Sequence, residues 1–218
     1  MRVVVMSDTH GHQPPVPDSD LLLHAGDVCE HGTLAEIARF SAWFGSLPHP
    51  FKIVIAGNHD WPFERNRQAA EDVLGPGITY MQDRGGTVRC RGEQLRLYGT
   101  PWQPEFCGWA FNLPRNSSAL RLIWSKVPEG LDILITHGPP AGVLDRTAYG
   151  EQAGCQLLAE QVAKVKPRLH VFGHIHPGAG IVERDGTVFC NASVCNEQYK
   201  PVNPVRVFEV TNDSVTAV

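Results

Sequence analysis

Lys52-Ile-Val-Ile-Ala-Gly-Asn-His-Asp60 reads as a strand that runs straight into polar chemistry. Lys52–Ala56 is nearly continuous in apolar character, as expected of a strand covered on both faces, and Gly57-Asn58-His59-Asp60 ends it. The arrangement recurs along the chain. Arg2–Met6 leads into Asp8-Thr9-His10, Leu21–His24 into Gly26-Asp27, Leu131–Thr136 into His137-Gly138, and Leu169–Gly173 into His174-Ile175-His176. In open α/β sheets ligands bind beyond the carboxyl ends of strands, so these clusters are predicted to converge on one site.

Helical patterns fill the gaps. Thr33 and Glu36 form a capping box ahead of Leu34–Phe44, and Gly45 is read as the stop. Further helices are expected near Phe63–Leu74, Ser118–Ser125 and Gly154–Val165. Ile181–Arg184 and Thr187–Cys190 flank Asp185-Gly186 as a hairpin, Val205–Val210 and Ser214–Val218 pair around Asn212-Asp213, and Arg84–Gly99 adds strands. Parallel strands joined by helices, with hairpins added, indicate a layered α/β fold with mixed sheets, read as one domain over residues 1–218.

Composition narrows the function. A net charge of −4 with no basic block argues against a surface that holds nucleic-acid backbone stably, although a small nucleotide fits. No apolar run approaches the ~20 residues that span a bilayer, so no membrane partner is expected. The six cysteines show no metal-binding spacing and read as reduced thiols of a cytoplasmic protein.

The clusters suit metal. Imidazole and carboxylate bind Zn, Mn, Fe or Co, and the lack of thiolate disfavours a structural zinc site. Asp8 and His10, two apart on an extended segment, can reach one ion; His174 and His176 share that spacing and can serve one ion or two neighbours. Asp27 has two oxygens and can bridge. Two ions ~3.5–4 Å apart activate a bridging hydroxide and clamp a phosphoryl group for in-line hydrolysis.

Taken in order, Asp8/His10, Gly26-Asp27 with Glu30, Gly57–Asp60, His137 and Gly173–His176 resemble the five-block pattern of the calcineurin-like metallophosphoesterase superfamily. The resemblance implies a four-layer αββα sandwich with two mixed β-sheets. It also implies that Asp8, His10 and His176 hold one divalent ion, that Asn58, His137 and His174 hold the other, and that Asp27 bridges them. His59 would face substrate beside Asn58, stabilising phosphate or protonating the leaving oxygen, which suits an imidazole. Lys52–His59, Pro101–Pro104 with Phe111–Pro114, His137–Pro140, Leu169–His176 and Asn191–Ser193 resemble more narrowly the brain-type 239FB group of metallophosphoesterase-domain proteins. Its members imply hydrolysis of small phosphodiesters, cyclic nucleotides included, with two divalent ions, manganese first and Fe, Zn or Co as alternatives. Glu30-His31-Gly32 departs from the Asp-Arg-Gly of the protein phosphatases, which turns the expectation away from phosphoproteins.

Blander readings carry the remaining residues. A lone Asp or His at a strand end is usually a cap or a turn former, and that explanation would have to be invoked five times here. Asp60 reads as a supporting carboxylate, His170 as a core residue, and Trp102, Phe106, Trp109 and Phe111 as a loop over the sheet more readily than a base-stacking platform. Asn191 and Ser193 could reach the site, and His31 could touch substrate. The rivals to a diesterase are a phosphomonoesterase or nuclease with the same centre, and a weakly catalytic nucleotide-binding or scaffold member.

Overall fold

A computed structural model describes residues 1–218. Along the chain lie β1 (Arg2–Met6), β2 (Leu21–His24), α1 (Leu34–Ser46), β3 (Phe51–Val54), α2 (Trp61–Arg65), α3 (Arg67–Leu74), β4 (Thr79–Tyr80), β5 (Arg84–Cys90), β6 (Glu93–Thr100), β7 (Gln103–Pro104) and β8 (Asn112–Leu113). They are followed by α4 (Ser118–Ser125), β9 (Ile133–Thr136), α5 (Gln156–Val165), β10 (Leu169–Phe172), β11 (Gly180–Arg184), β12 (Thr187–Asn191), β13 (Arg206–Val210) and β14 (Val215–Ala217).

Two six-stranded sheets result, in the orders β14-β13-β1-β2-β3-β4 and β11-β12-β10-β9-β6-β5. The strands β1 to β4 are parallel, as are β6, β9, β10 and β12; antiparallel β13, β14, β5 and β11 make both sheets mixed. Side-chain alternation explains the layering. Val3 and Val5 join Leu21, Leu23, Ile133, Ile135, Leu169 and Val171 in the core between the sheets. Val4, Met6 and Leu22, on the opposite face, pack on Ile37, Phe40 and Phe44 of α1 and Leu74 of α3. On the far side Leu134 and Phe172 pack on Trp124 of α4 and Leu158 and Val162 of α5. Strands apolar on both faces therefore give helix, sheet, sheet, helix, the four-layer sandwich that the family resemblance implied.

Three local departures have clear causes. The helix expected at 63–74 is two helices, because Asn66 leaves helical geometry (φ −151°) and its side chain accepts from Ala69 N to cap α3. Helix α1 runs through Gly45 to Ser46, where buried Lys52 Nζ donates to Gly45 O at 2.7 Å and Leu47 O at 2.8 Å and satisfies its last carbonyls. Helix α5 begins at Gln156, two residues later than expected, with the Cys155 thiol as its cap.

The sheets meet at their carboxyl ends. Ser7 bridges to Ser193, with Ser7 N donating to Ala192 O and Val194 N to Ser7 O, so the loops leaving β1 and β12 run side by side. That seam brings the loops after β1, β2, β3, β9 and β10 to one place.

Candidate metal centre

The loops are locked to one another before any side chain is considered. Asp8 N donates to Gly26 O (2.9 Å), His10 N to Asp27 O (3.1 Å) and Gly173 N to His137 O (2.8 Å). Asp8, His10, Asp27 and His174 all take left-handed backbone, with φ of 54°, 43°, 57° and 67°. Such conformations are uncommon outside glycine and persist where the surroundings over-determine them, which happens mainly at functional sites. Gly57 lets the third loop pass: a Cβ there would lie 2.5 Å from Asp27 N and 2.6 Å from His137 Cε1.

Three donor sets form, each with its ligand atoms within 4.8 Å of one another: Asp8, His10 and His176; His10, Asp27 and His59; Asp27, His137 and His174. Asn58 joins through Oδ1, 2.8 Å from His137 Nε2. All seven residues expected as ligands thus gather, with Asp27 common to the last two sets. His59 also reaches the His10 and Asp27 donor atoms, so distance alone does not separate it from the ligands.

Hydrogen bonding fixes what these rings present. Nδ1 of His10 lies 3.0 Å from Cys29 O, that of His137 2.9 Å from Ala25 O, and that of His176 2.9 Å from Asn196 O. A carbonyl only accepts, so each Nδ1 carries the proton and each Nε2 turns a lone pair inward. Those lone pairs then confront other acceptors. His10 Nε2 faces His176 Nε2 at 3.4 Å, and His137 Nε2 faces both Asn58 Oδ1 and Asp27 Oδ2, the latter at 3.4 Å. Buried acceptors aimed at acceptors need a cation between them, either a proton or a metal.

Charge balance reports the same strain. Burial opposes protonation of His137, but Asp27, Asp8 and the Ala25 carbonyl outweigh it and push the ring up to about 9. Burial would raise Asp8 and Asp27; contact with His176 holds the first well below the usual carboxylate range, and His137 does so for the second. His174 is pushed down to about 3 by burial and then by the charge of His137.

Supporting residues complete the shell. Ser193 Oγ donates to Asp8 Oδ2 at 2.8 Å, and Asn191 Nδ2 donates to Ile175 O at 2.8 Å, so both reach the site as supports. Asp60 accepts from Gly57 N (2.8 Å), Cys29 N (2.9 Å) and Val28 N (3.3 Å), which ties the second loop to the third. Burial, then the charge of Asp27, pushes it up to about 6.

A family model of calcineurin-like phosphoesterases matches residues 1–178. The chain belongs to that family. This calcineurin-like phosphoesterase is 44% identical to human metallophosphoesterase domain-containing protein 1 over 236 residues, covering 96% of this chain and 71% of that protein. It is 35% identical to the UPF0046 protein C25E10.12 of Caenorhabditis elegans, covering 96% and 81% of the two chains. Among solved structures, the TT1561 protein of Thermus thermophilus superposes with a TM-score of 0.65 at 12% identity, covering 100% of this chain and 97% of that one, a likeness of fold. The donor set described above fits the divalent ions on which such phosphoesterases depend.

Over the donors opens a cleft of about 460 Å³. Asn58, His59, His174 and His176 line it together with aromatic residues of three loops, Phe106 and Trp109, Tyr149, and Tyr199. Tyr199, which no motif signalled, stands edge-on to His10 at 4.7 Å and to His176 at 5.6 Å. Its turn hangs from Asn196, whose carbonyl holds His176. Arg115, also unsignalled, is the arginine of the lining, and its guanidinium donates to Gly154 O (2.8 Å) and Ala153 O (3.1 Å). His31 is exposed and absent from the lining, so the expectation that it touches substrate is not met. No helix is long and apolar enough to cross a membrane.

Proposed function

We propose that this phosphoesterase is a dinuclear phosphodiesterase acting on small diesters, cyclic nucleotides among them. The observation that carries the reading is the confrontation of inward-facing acceptors in two donor groups, with Asp27 Oδ2 3.8 Å from His10 Nε2 of one group and 3.4 Å from His137 Nε2 of the other. Asp8, His10 and His176 would hold one ion, Asn58, His137 and His174 the other. When bound, two such ions supply an activated hydroxide and neutralise charge on the phosphoryl oxygens.

The protein's own residues do the rest. Asn58, whose Oδ1 faces His137 Nε2 at 2.8 Å and whose side chain lines the cleft, would offer that oxygen to the second ion beside the substrate. His59 is set by Asp27 Oδ1, which accepts from its backbone N at 2.8 Å, and by Glu30 O, which accepts from its Nδ1 at 2.7 Å. With Nδ1 committed to Glu30 O, His59 gives a proton from Nε2 to the leaving oxygen when the ring is the imidazolium, and is left as the neutral Nδ1–H tautomer once the phosphorus–oxygen bond has broken. A diester suits the cleft better than a monoester. Arg115 is engaged by carbonyls, and Glu151 and Glu197 also line the walls, so a second phosphate charge finds little compensation. Manganese is the proposed ion, and free cysteines suit the reducing cytoplasm proposed as the compartment.

Rates on bis-p-nitrophenyl phosphate, p-nitrophenyl phosphate, cyclic AMP and single-stranded DNA, each with Mn, Fe, Co, Zn and Mg, test the proposal. Metal-dependent turnover of the first and third is expected; activity confined to the monoester would overturn it. His59→Ala should keep about two ions per chain and lower kcat roughly 10²–10⁴-fold on cyclic AMP, whose alkoxide leaving group needs the proton. Unchanged turnover would remove His59 from the mechanism.

A further inference from the structure

The aromatic segment after β7 is bolted to the loop that carries Asn58 and His59, and three consecutive residues make the attachment. Trp109 stacks on the imidazole of His59, with ring centroids 4.3 Å apart and planes 24° from parallel. Ala110 N donates to Asn58 O at 3.1 Å, and Phe111 N donates to Glu64 Oε1 of α2 at 2.9 Å. The neighbouring aromatic rings have other work. Phe111 is fully buried and meets Trp102 edge-on at 5.4 Å, while Trp102 Nε1 donates to Asp83 Oδ2 at 3.0 Å.

We infer that Trp109 is a positioning residue for His59: its indole covers one imidazole face and fixes the ring angle at which Nε2 meets the leaving oxygen. The inference rests on the proposed role of His59. The ring has only two torsions, χ1 and χ2. The Glu30 carbonyl restrains one ring nitrogen, and His10 stands edge-on at 4.7 Å. Without the indole, the imidazole could pivot about the Glu30 hydrogen bond into the volume that Trp109 occupies. Proton transfer needs the heavy atoms within hydrogen-bond reach, and small misplacements of a positioned group are costly. Trp109 also lines the cleft, so direct stacking on substrate is the competing role.

A double-mutant cycle separates the two. In the manganese-loaded protein, Trp109→Leu should lower kcat about tenfold on diphenyl phosphate, whose phenolate is a basic leaving group needing the proton. It should lower kcat less than threefold on bis-p-nitrophenyl phosphate, leave KM and metal content in place, and be largely rescued by Trp109→Phe. In the His59→Ala background, Trp109→Leu should have no further effect. In the zinc-loaded protein, the His59 Cε1–H resonance should lie upfield in the wild type and return downfield in Trp109→Leu, which reads the stack without turnover. Equal loss in the His59→Ala background, or a raised KM on both diesters, would overturn the inference in favour of substrate contact. So would full activity of Trp109→Leu while His59→Ala is impaired. If His59→Ala is itself unimpaired, the functional reading of His59 fails, and the positioning role fails with it.

Discussion

His170 should make this protein lose stability in mild acid, and His170→Gln should remove a measurable part of the loss. The ring is fully buried in β10, with Nε2 2.9 Å from Thr136 Oγ1. That hydroxyl gives its own proton to Gly138 O at 2.8 Å, so His170 must donate through Nε2, and Nδ1 is left as a lone pair with no partner. A second proton would create a buried cation with no acceptor, and burial accordingly pushes the ring from 6.5 down to about 3. The folded-state value is depressed, so the stabilisation is fully present above 6.5 and is lost as pH falls from there toward 3. At pH 4.5 the neutral ring must resist about two pH units of proton pressure, worth roughly 2.7 kcal/mol. That is a large share of a typical ~5–15 kcal/mol domain stability. Urea unfolding of chelator-treated protein at pH 7.5 and 4.5 reads it, because carboxylate contributions are common to both variants and cancel. His170→Gln keeps a donor for Thr136 and cannot titrate, so its loss between the two pH values should be smaller by about 2–3 kcal/mol. Parallel losses in wild type and variant would refute the reasoning.

Gly173→Ala should destroy the first ion site without backbone strain. An added methyl would overlap Asp8 Oδ2 and Ser7 Oγ and lie 2.6 Å from Ser7 Cβ, so the carboxylate must move. Metal analysis should fall from about two ions per chain toward one, with overpacking costing ~1–3 kcal/mol in unfolding measurements; two tightly held ions would contradict it. Ser193→Ala removes the hydroxyl that orients Asp8 and should weaken metal binding roughly 10–100-fold by competitive chelation, with the fold retained. An unchanged affinity would mean that His174 N, which donates to Asp8 Oδ1 at 3.1 Å and Oδ2 at 3.0 Å, alone sets the carboxylate.

The sequence carried the strand-end clusters because each strand here is apolar on both faces, so polar residues stand out where it stops. It could not carry the break at Asn66, since an Asn within an apolar-periodic stretch resembles an ordinary exposed helix residue until its amide caps α3. Lys52 was hidden differently: opening an apolar strand, it gives no hint that its ammonium reaches back to the last carbonyls of α1. Tyr199, Tyr149 and Arg115 line the cleft through loops whose course depends on contacts distant in sequence, such as His176 with Asn196, and no local pattern encodes those.

His24 and His170 show how the fold supports the site where motif reading stops. The histidines make matching contacts, one in each sheet, with a threonine that precedes a candidate ligand: His24 Nε2 lies 2.9 Å from Thr9 Oγ1, next to His10, and His170 meets Thr136, next to His137. Gly26 N donates to His24 Nδ1 at 3.2 Å, so His24 too must donate through Nε2 and stay neutral, and burial holds it down to about 3. Read singly, each is a bland core histidine. Placed in the fold, each is the neutral donor that pins a ligand-bearing loop from below, which ties the acid limb of stability to the geometry of the metal centre itself.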